Sequence, residues 1–443
     1  MRAGHARSSI TPPLGISLAG FTARTTGAQG VHDDLFARAL VLEEDTTRLA
    51  LVACDLCEMD ETFVARVRQQ IEAASGIPAH AVMVAATHTH AAPATFPLYS
   101  LPPEPTWLDD LSGRVTDTVV AAVGDLAPAA VSVGIGHEAT VGRNRRRPDA
   151  PVDPALTVVR LDRQSAAPAI LVHYACHPTV LGPDNLLISR DYVGFTVDAV
   201  ERATGGFALF TNGACGDINV GHSADRSALG LPIPGRTFDR AEALGLRLAV
   251  EAIRVLGEMR PAMQAGAHPG RLLAAGRRSI EVPLRQTPSL DEAHEDVRAA
   301  GAHLKHLEAS DSTGEDLTGA RLELMYAELA LRWVEQRDRA AAETETAEVQ
   351  GLAAGDLALV ALPGEFFAES GQHLRARSPF PHTLAVGYAN GGIGYVPPAA
   401  AFADGGYETR LAPWSRVAPE AEAMILDAAE ALLRGLRREQ DAA

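Results

Sequence analysis

Apolar residues fall along this chain in short blocks, each closing on glycine, proline and a few polar side chains. Residues 36–43 and 48–54 predict a hairpin turned at Asp45-Thr46-Thr47. Phe63, Val64, Val67, Ile71 and Ala74 then repeat at helical spacing, and Gly76-Ile77-Pro78 predicts the end of that helix. The apolar run Ala81-Val82-Met83-Val84 predicts the next strand, so a strand–helix–strand unit points to the α/β class. Further strands are expected at 169–174, 207–210, 357–362 and 384–387, and amphipathic helices at 236–257 and 418–438. Residues 290–309 and 317–343 predict a charged helical hairpin turned at Ser310–Gly314; a cap over a site and a solvated arm both fit its alternating charge. The glycine- and proline-rich stretch 221–236 reads as a loop, and no internal repeat is visible. The organisation expected is one domain over 1–443 carrying a helical hairpin insertion within 268–350.

The polar residues that close these blocks carry the chemistry. Thr87-His88-Thr89-His90 ends the strand after Val84, and Ala175-Cys176-His177-Pro178 ends the strand after Tyr174. Thr211–Asp217, Pro363-Gly364-Glu365 and Tyr388–Tyr395 end three others. Ligand sites in open α/β sheets gather at strand C-termini, so five such ends point to a shared site. His88, His177 and Glu365 are residue types that hold zinc. Each also has an ordinary reading: a solvated loop histidine, a structural histidine before proline, or a carboxylate capping a helix that opens at Phe366. Asp55 ends the strand beside the one bearing His88, where it suits either orienting an imidazole or capping a helix.

Composition narrows the classes. Apolar residues make up 47% of the chain and charged residues 21%, as in ordinary globular proteins. A net charge of −17 is spread along the sequence and gives no basic field for nucleic acid; Arg143–Arg147 is too short to supply one. The N-terminus lacks an apolar segment after its positive charges, and no run approaches the roughly 18 apolar residues of a membrane span. A cytoplasmic location without stable membrane association is therefore expected. Cys54, Cys57, Cys176 and Cys215 are too few for a disulfide framework and read as small buried residues. A homo-oligomer is left open.

The ordered set Ile10-Thr11-Pro12-Pro13, Phe36–Ala39, Thr87–His90, His177-Pro178-Thr179, Asn212–Asp217, Pro363–Phe366 and Gly394-Tyr395 resembles the neutral/alkaline (non-lysosomal) ceramidase family over nearly the whole chain. The resemblance implies a catalytic-domain-like fold, α/β with a large mixed β-sheet core and flanking helices. It implies one Zn2+ per chain held by His88, His177, Glu365 and Tyr395, with His90 as the acid/base group and Arg145 facing the substrate or a developing oxyanion. Such a zinc ion activates water and polarises an amide carbonyl. Two departures shape the expectation. Asn219 stands where the family carries a serine, leaving only an amide to face the substrate or hold a water, and ceramidases continue into a further domain beyond the helix at 418–438. The expected protein is thus a soluble zinc amidohydrolase of a small or polar N-acyl amine, with Asn219 and Asp55 beside that substrate. Zinc-assisted cleavage of an ester or a sugar derivative, or a silent ligand-binding relative, are the alternatives.

Overall fold

Two β-sheets packed face to face set the architecture of the computed structural model, which describes residues 1–97, 103–147, 149–150, 152–259, 273–340 and 342–442. The larger sheet has eight strands in the order Phe207–Asn212, Ala169–Tyr174, Ala155–Arg163, Ala127–His137, Arg2–Ser9, Phe36–Glu44, Thr47–Cys54 and Val82–Ala86. It is mixed: the outermost pair at each end is parallel and the pairs between are antiparallel. The smaller sheet orders Leu273–Pro283, Thr344–Ala354, Leu357–Ala361 and His382–Val386, with the last pair parallel.

Strand periodicity explains the stacking. Leu40, Leu42, Leu49, Leu51, Leu171, Leu352, Leu357 and Leu359 meet in the layer between the sheets. Alternate residues of the smaller sheet, such as Ala358 and Val360, turn instead to the cluster containing Ile425, Ala429 and Leu433 of the helix Ala421–Asp441. Where both faces are covered, as along Val82–Ala86, Ala169–Tyr174 and Leu357–Ala361, the strands read as continuous apolar runs rather than alternating ones. Helices Glu61–Ser75 and Pro105–Gly124 pair over one half of the large sheet, and Asp191–Thr204 and Phe238–Glu258 over the other. Gly76 ends the first of these in the left-handed conformation at φ 74°, the geometry expected of a glycine C-cap.

The expected hairpin, helices and strand ends lie where the pattern placed them. Between 268 and 350, residues 268–272 and 341 lie outside the described residues. The remainder holds the strand Leu273–Pro283, helices Leu290–Glu308 and Gly314–Ala340, and most of the strand Thr344–Ala354. The two helices therefore rise from between two antiparallel neighbours of the smaller sheet. Among the described residues, no helix is long and apolar enough to cross a membrane.

Leu171 is 1% exposed and lies in the inter-sheet layer. Leu171→Ala should lower unfolding free energy by about 3 kcal/mol, the usual cost of a leucine-sized cavity, as measured by urea denaturation. A loss below about 1 kcal/mol would contradict the two-sheet core.

Candidate metal and catalytic site

His88 and His177 leave neighbouring halves of the large sheet, and main-chain carbonyls fix both rings. His88 Nδ1 lies 2.7 Å from the Cys57 carbonyl. His177 Nδ1 lies 2.8 Å from the Cys215 carbonyl and 3.0 Å from that of Ile218. A carbonyl only accepts, so each Nδ1 carries the proton and each Nε2 presents a lone pair. Burial holds both imidazoles down to about 3, so at neutral pH they are uncharged. His88 sits at φ 67°, a conformation costly for a residue with a Cβ and typical of functional sites.

The two lone pairs face one carboxylate. Glu365 Oε2 is 2.9 Å from His177 Nε2 and 3.6 Å from His88 Nε2. Burial pushes the Glu365 carboxyl up, against the pull of His88 and Arg145. Three electron-rich atoms within 4.8 Å of one another, in a buried setting, repel unless a cation lies among them. Neutral imidazoles anchored through their other nitrogen, beside a carboxylate, form the donor set that a divalent metal such as zinc takes. A second group, Cys57, His88 and His90, is also close enough to share an ion. It is the poorer set, because burial and the nearby carboxylates of Glu58 and Glu365 push the Cys57 thiol well up.

Glu365 does not open a helix. Glu365-Phe366 pairs in parallel with Tyr395-Val396, and the helix Ala368–Arg377 starts afterwards. That two-residue ladder sets Glu365 beside Tyr395. The Gly216-Asp217 pair supports it from below. Gly216 N donates to the Phe366 carbonyl at 2.7 Å, and a Cβ on Gly216 would lie 2.5 Å from the Glu365 carbonyl oxygen. Asp217 Oδ1 accepts from Ala368 N at 2.9 Å, and Asp217 Oδ2 from Asn144 Nδ2 at 2.8 Å.

Asn144 belongs to the short segment that carries Arg145. Arg145 Nη2 donates to the Tyr395 hydroxyl at 2.8 Å and to the Gly216 carbonyl at 2.6 Å, while Nε donates to Glu408 Oε1 at 2.7 Å. Arg146 takes the other Glu408 oxygen at 2.7 Å. Burial pushes the Glu408 carboxyl up, yet Arg145 and Arg146 together hold it below its usual value. Burial also keeps the Tyr395 phenol well up, opposed by Arg145 and reinforced by the nearby Glu365 carboxylate.

His90 Nε2 lies 3.1 Å from His88 Nε2, and its buried Nδ1 has no hydrogen-bond partner. Its ring stands over Gly20, where φ is 93° and a Cβ would come within 2.4 Å. Arg24 clamps this corner, donating to the carbonyls of Ala19, His90 and Gly182. A narrow neck of about 20 Å³ has Phe21, His90, Arg145, His222 and Tyr395 among its walls. Beside it lies a polar vestibule of about 330 Å³ whose walls include Arg146, Arg147, Asp225, Asp404 and Glu408. The helical hairpin closes over this region. Leu322, Met325, Tyr326 and Leu329, one face of its second helix, pack with Tyr395, Tyr407 and Trp414, and the Tyr326 hydroxyl donates to Asp225.

His88, His90, His177, Glu365, Tyr395 and Arg145 thus converge, whereas the two residues expected against the substrate require correction. Asn219 Oδ1 accepts from Gly221 N and His222 N, and its Nδ2 donates to the His222 carbonyl. Its amide is occupied in holding the loop that bears His222. Asp55 is buried, accepting from Phe36 N at 2.9 Å and Thr87 Oγ1 at 3.3 Å, so it buttresses the turn before His88. The sequence reading missed Glu408, Arg24, His222 and Tyr388. Tyr388 stacks on the His88 ring at 3.7 Å between centroids and places its hydroxyl 3.2 Å from Cys215 Sγ. Its place in the block Tyr388–Tyr395 was the available signal; the other three stand in loops without pattern.

The family model for neutral/alkaline non-lysosomal ceramidase, N-terminal, matches residues 2–216. Neutral ceramidase of Mycobacterium tuberculosis is 29% identical over 252 residues, 49% of this chain and 39% of that protein. Neutral ceramidase of Pseudomonas aeruginosa is 25% identical over 290 residues, 58% of this chain and 42% of that protein. The alignments therefore span less than half the length of these relatives. Among solved structures, neutral ceramidase from Pseudomonas aeruginosa superposes with a TM-score of 0.72 at 21% identity, covering 98% of this chain and 75% of that one. A ceramidase complexed with C2 gives 0.71 at 19% identity with the same coverage. At such identity these superpositions establish the mixed α/β fold.

Glu408→Ala would leave Arg145 and Arg146 without their shared buried counter-charge, and should cost about 3 kcal/mol of stability in urea unfolding, with Glu408→Gln milder. Indistinguishable alanine and wild-type curves would show that Glu408 does not hold Arg145.

Proposed function

The chain belongs to the neutral/alkaline non-lysosomal ceramidase family, and on that premise we propose that it is a zinc-dependent amidohydrolase of small or polar N-acyl amines. The observation that carries the metal is the convergence of two carbonyl-anchored neutral imidazoles on Glu365. His88, His177 and Glu365 would hold the ion, with the Tyr395 hydroxyl as a fourth oxygen beside Glu365. Zinc in that place would polarise the substrate carbonyl and lower the pKa of the attacking water.

The remaining steps fall to side chains of this chain. As the new C–O bond forms, negative charge grows on the carbonyl oxygen. Arg145, fixed by Glu408, presents positive charge there without reorganising. Breaking the C–N bond requires a proton on the leaving nitrogen. His90, buried in the wall of the neck with one ring nitrogen free of protein partners, can carry that proton. The narrow neck and charged vestibule favour a compact acyl group joined to a polar amine.

Chelation should abolish hydrolysis of a panel of short N-acyl amines, and zinc should restore it. His90→Ala should lower kcat by roughly 10²–10⁴ without loss of bound zinc. Activity indifferent to chelator would sink the metal role. Faster turnover of the matching esters or glycosides than of the amides would move the assignment to another bond.

A further inference from the structure

One cavity takes no part in the chemistry above. It measures about 570 Å³, within the range of about 300–1,000 Å³ usual for small-molecule sites. Glu58, Phe96, Trp333, Glu345, Trp414 and Arg416 are among its walls, and none of His88, His177, Glu365 or Tyr395 is. We propose that this cavity binds an aryl- or alkylammonium ion, with Glu58 as its counter-ion.

Glu58 carries the assignment. Its side chain is buried, and Oε1 accepts no hydrogen bond. Two guanidinium groups, Arg332 and Arg416, stand on its walls, and the second is engaged elsewhere: Arg416 Nε donates to Glu345 Oε2 at 2.7 Å, and its Nη atoms reach Glu345 and the carbonyls of Pro413 and Gly392. Glu345 therefore already has its cation and Glu58 does not. The main chain makes room for Glu58 specifically, since a Cβ at Gly392 would lie 1.9 Å from Glu58 Oε1. Burial, with the like charges of Glu365, Glu345 and Asp60, pushes the Glu58 carboxyl up to about 8 against the pull of Arg416, an imbalance that a bound cation would relieve. A buried carboxyl group without a partner of its own is completed by a cationic donor.

The aromatic walls indicate what the cation is attached to. Phe96, Trp333 and Trp414 offer ring surface beside Glu58, which suits an ammonium on an aryl or alkyl body better than a hydrated inorganic ion. Trp333 Nε1 is a second buried polar atom without a partner. Gly392 and Gly394 line the cavity and flank the approach to Tyr395, so an occupant would touch the segment that presents that hydroxyl.

The test is calorimetric titration of the full chain with phenethylamine, 2-phenylethanol and 3-phenylpropanoate, with tryptophan fluorescence as a second readout. The amine should bind at least about tenfold more tightly than the alcohol, and the carboxylate should not bind. Glu58→Gln should erase the difference between amine and alcohol. Should that variant fold poorly, Trp333→Leu on the outer wall should weaken the amine by a similar factor and leave the melting temperature unchanged. Equal affinity for amine and alcohol, an unaltered Glu58→Gln isotherm, or no saturable binding of any probe would overturn the assignment. None of these outcomes depends on hydrolytic activity, so the amidohydrolase proposal stands or falls separately.

Discussion

Two neutral imidazoles and a carboxylate pointed at one another away from water are the constraint around which this structure is arranged. The carbonyls of Cys57, Cys215 and Ile218 prevent either ring from turning its N–H toward Glu365. Left alone, the three would repel, and burial would drive a proton onto the carboxylate. A divalent cation removes that conflict in one step, which is why the site reads as metal-binding rather than as a salt bridge.

Much of the surrounding fold serves to keep those atoms in place. Two strand ends of the large sheet deliver His88 and His177, while the two-residue ladder of Glu365 with Tyr395 brings in a third segment. Gly216 permits the close main-chain approach that this ladder needs, and Asp217 joins it to the segment carrying Arg145. Glu408 then holds Arg145 against Tyr395. The hairpin adds the outer wall, its apolar face resting on Tyr407 and Trp414. A dense hydrogen-bonded network of this kind is rigid, as electrostatic stabilisation of a transition state requires.

Much of this was legible in the sequence because buried strands and amphipathic helices write their periods plainly. The strand ending in His88, the helix Glu61–Ser75 and its glycine cap, and the hairpin helices follow from local pattern alone. The strands Arg2–Ser9, Ala127–His137 and Ala155–Arg163 escape it, since arginine, histidine and glycine interrupt them and their burial depends on distant partners. At the site, histidines at strand ends were visible, but partners fixed by long-range contact were not. Pro363-Gly364 suggested a helix start at Glu365, whereas pairing with Tyr395 thirty residues on made it a strand. Asn219 looked like a substitute for a serine, yet its amide closes on His222, three residues further along its own loop. Asp55 likewise turns to Phe36 and Thr87 rather than to a ligand.

The central claim concerns which atoms hold the metal, and X-ray absorption at the zinc edge of the zinc-loaded chain tests it most directly. The account predicts a first shell of nitrogen and oxygen at about 2.0–2.1 Å with two imidazoles, and a shell that loses one imidazole in His177→Ala. A sulfur contribution at about 2.3 Å, placing the ion with Cys57, His88 and His90, would contradict it.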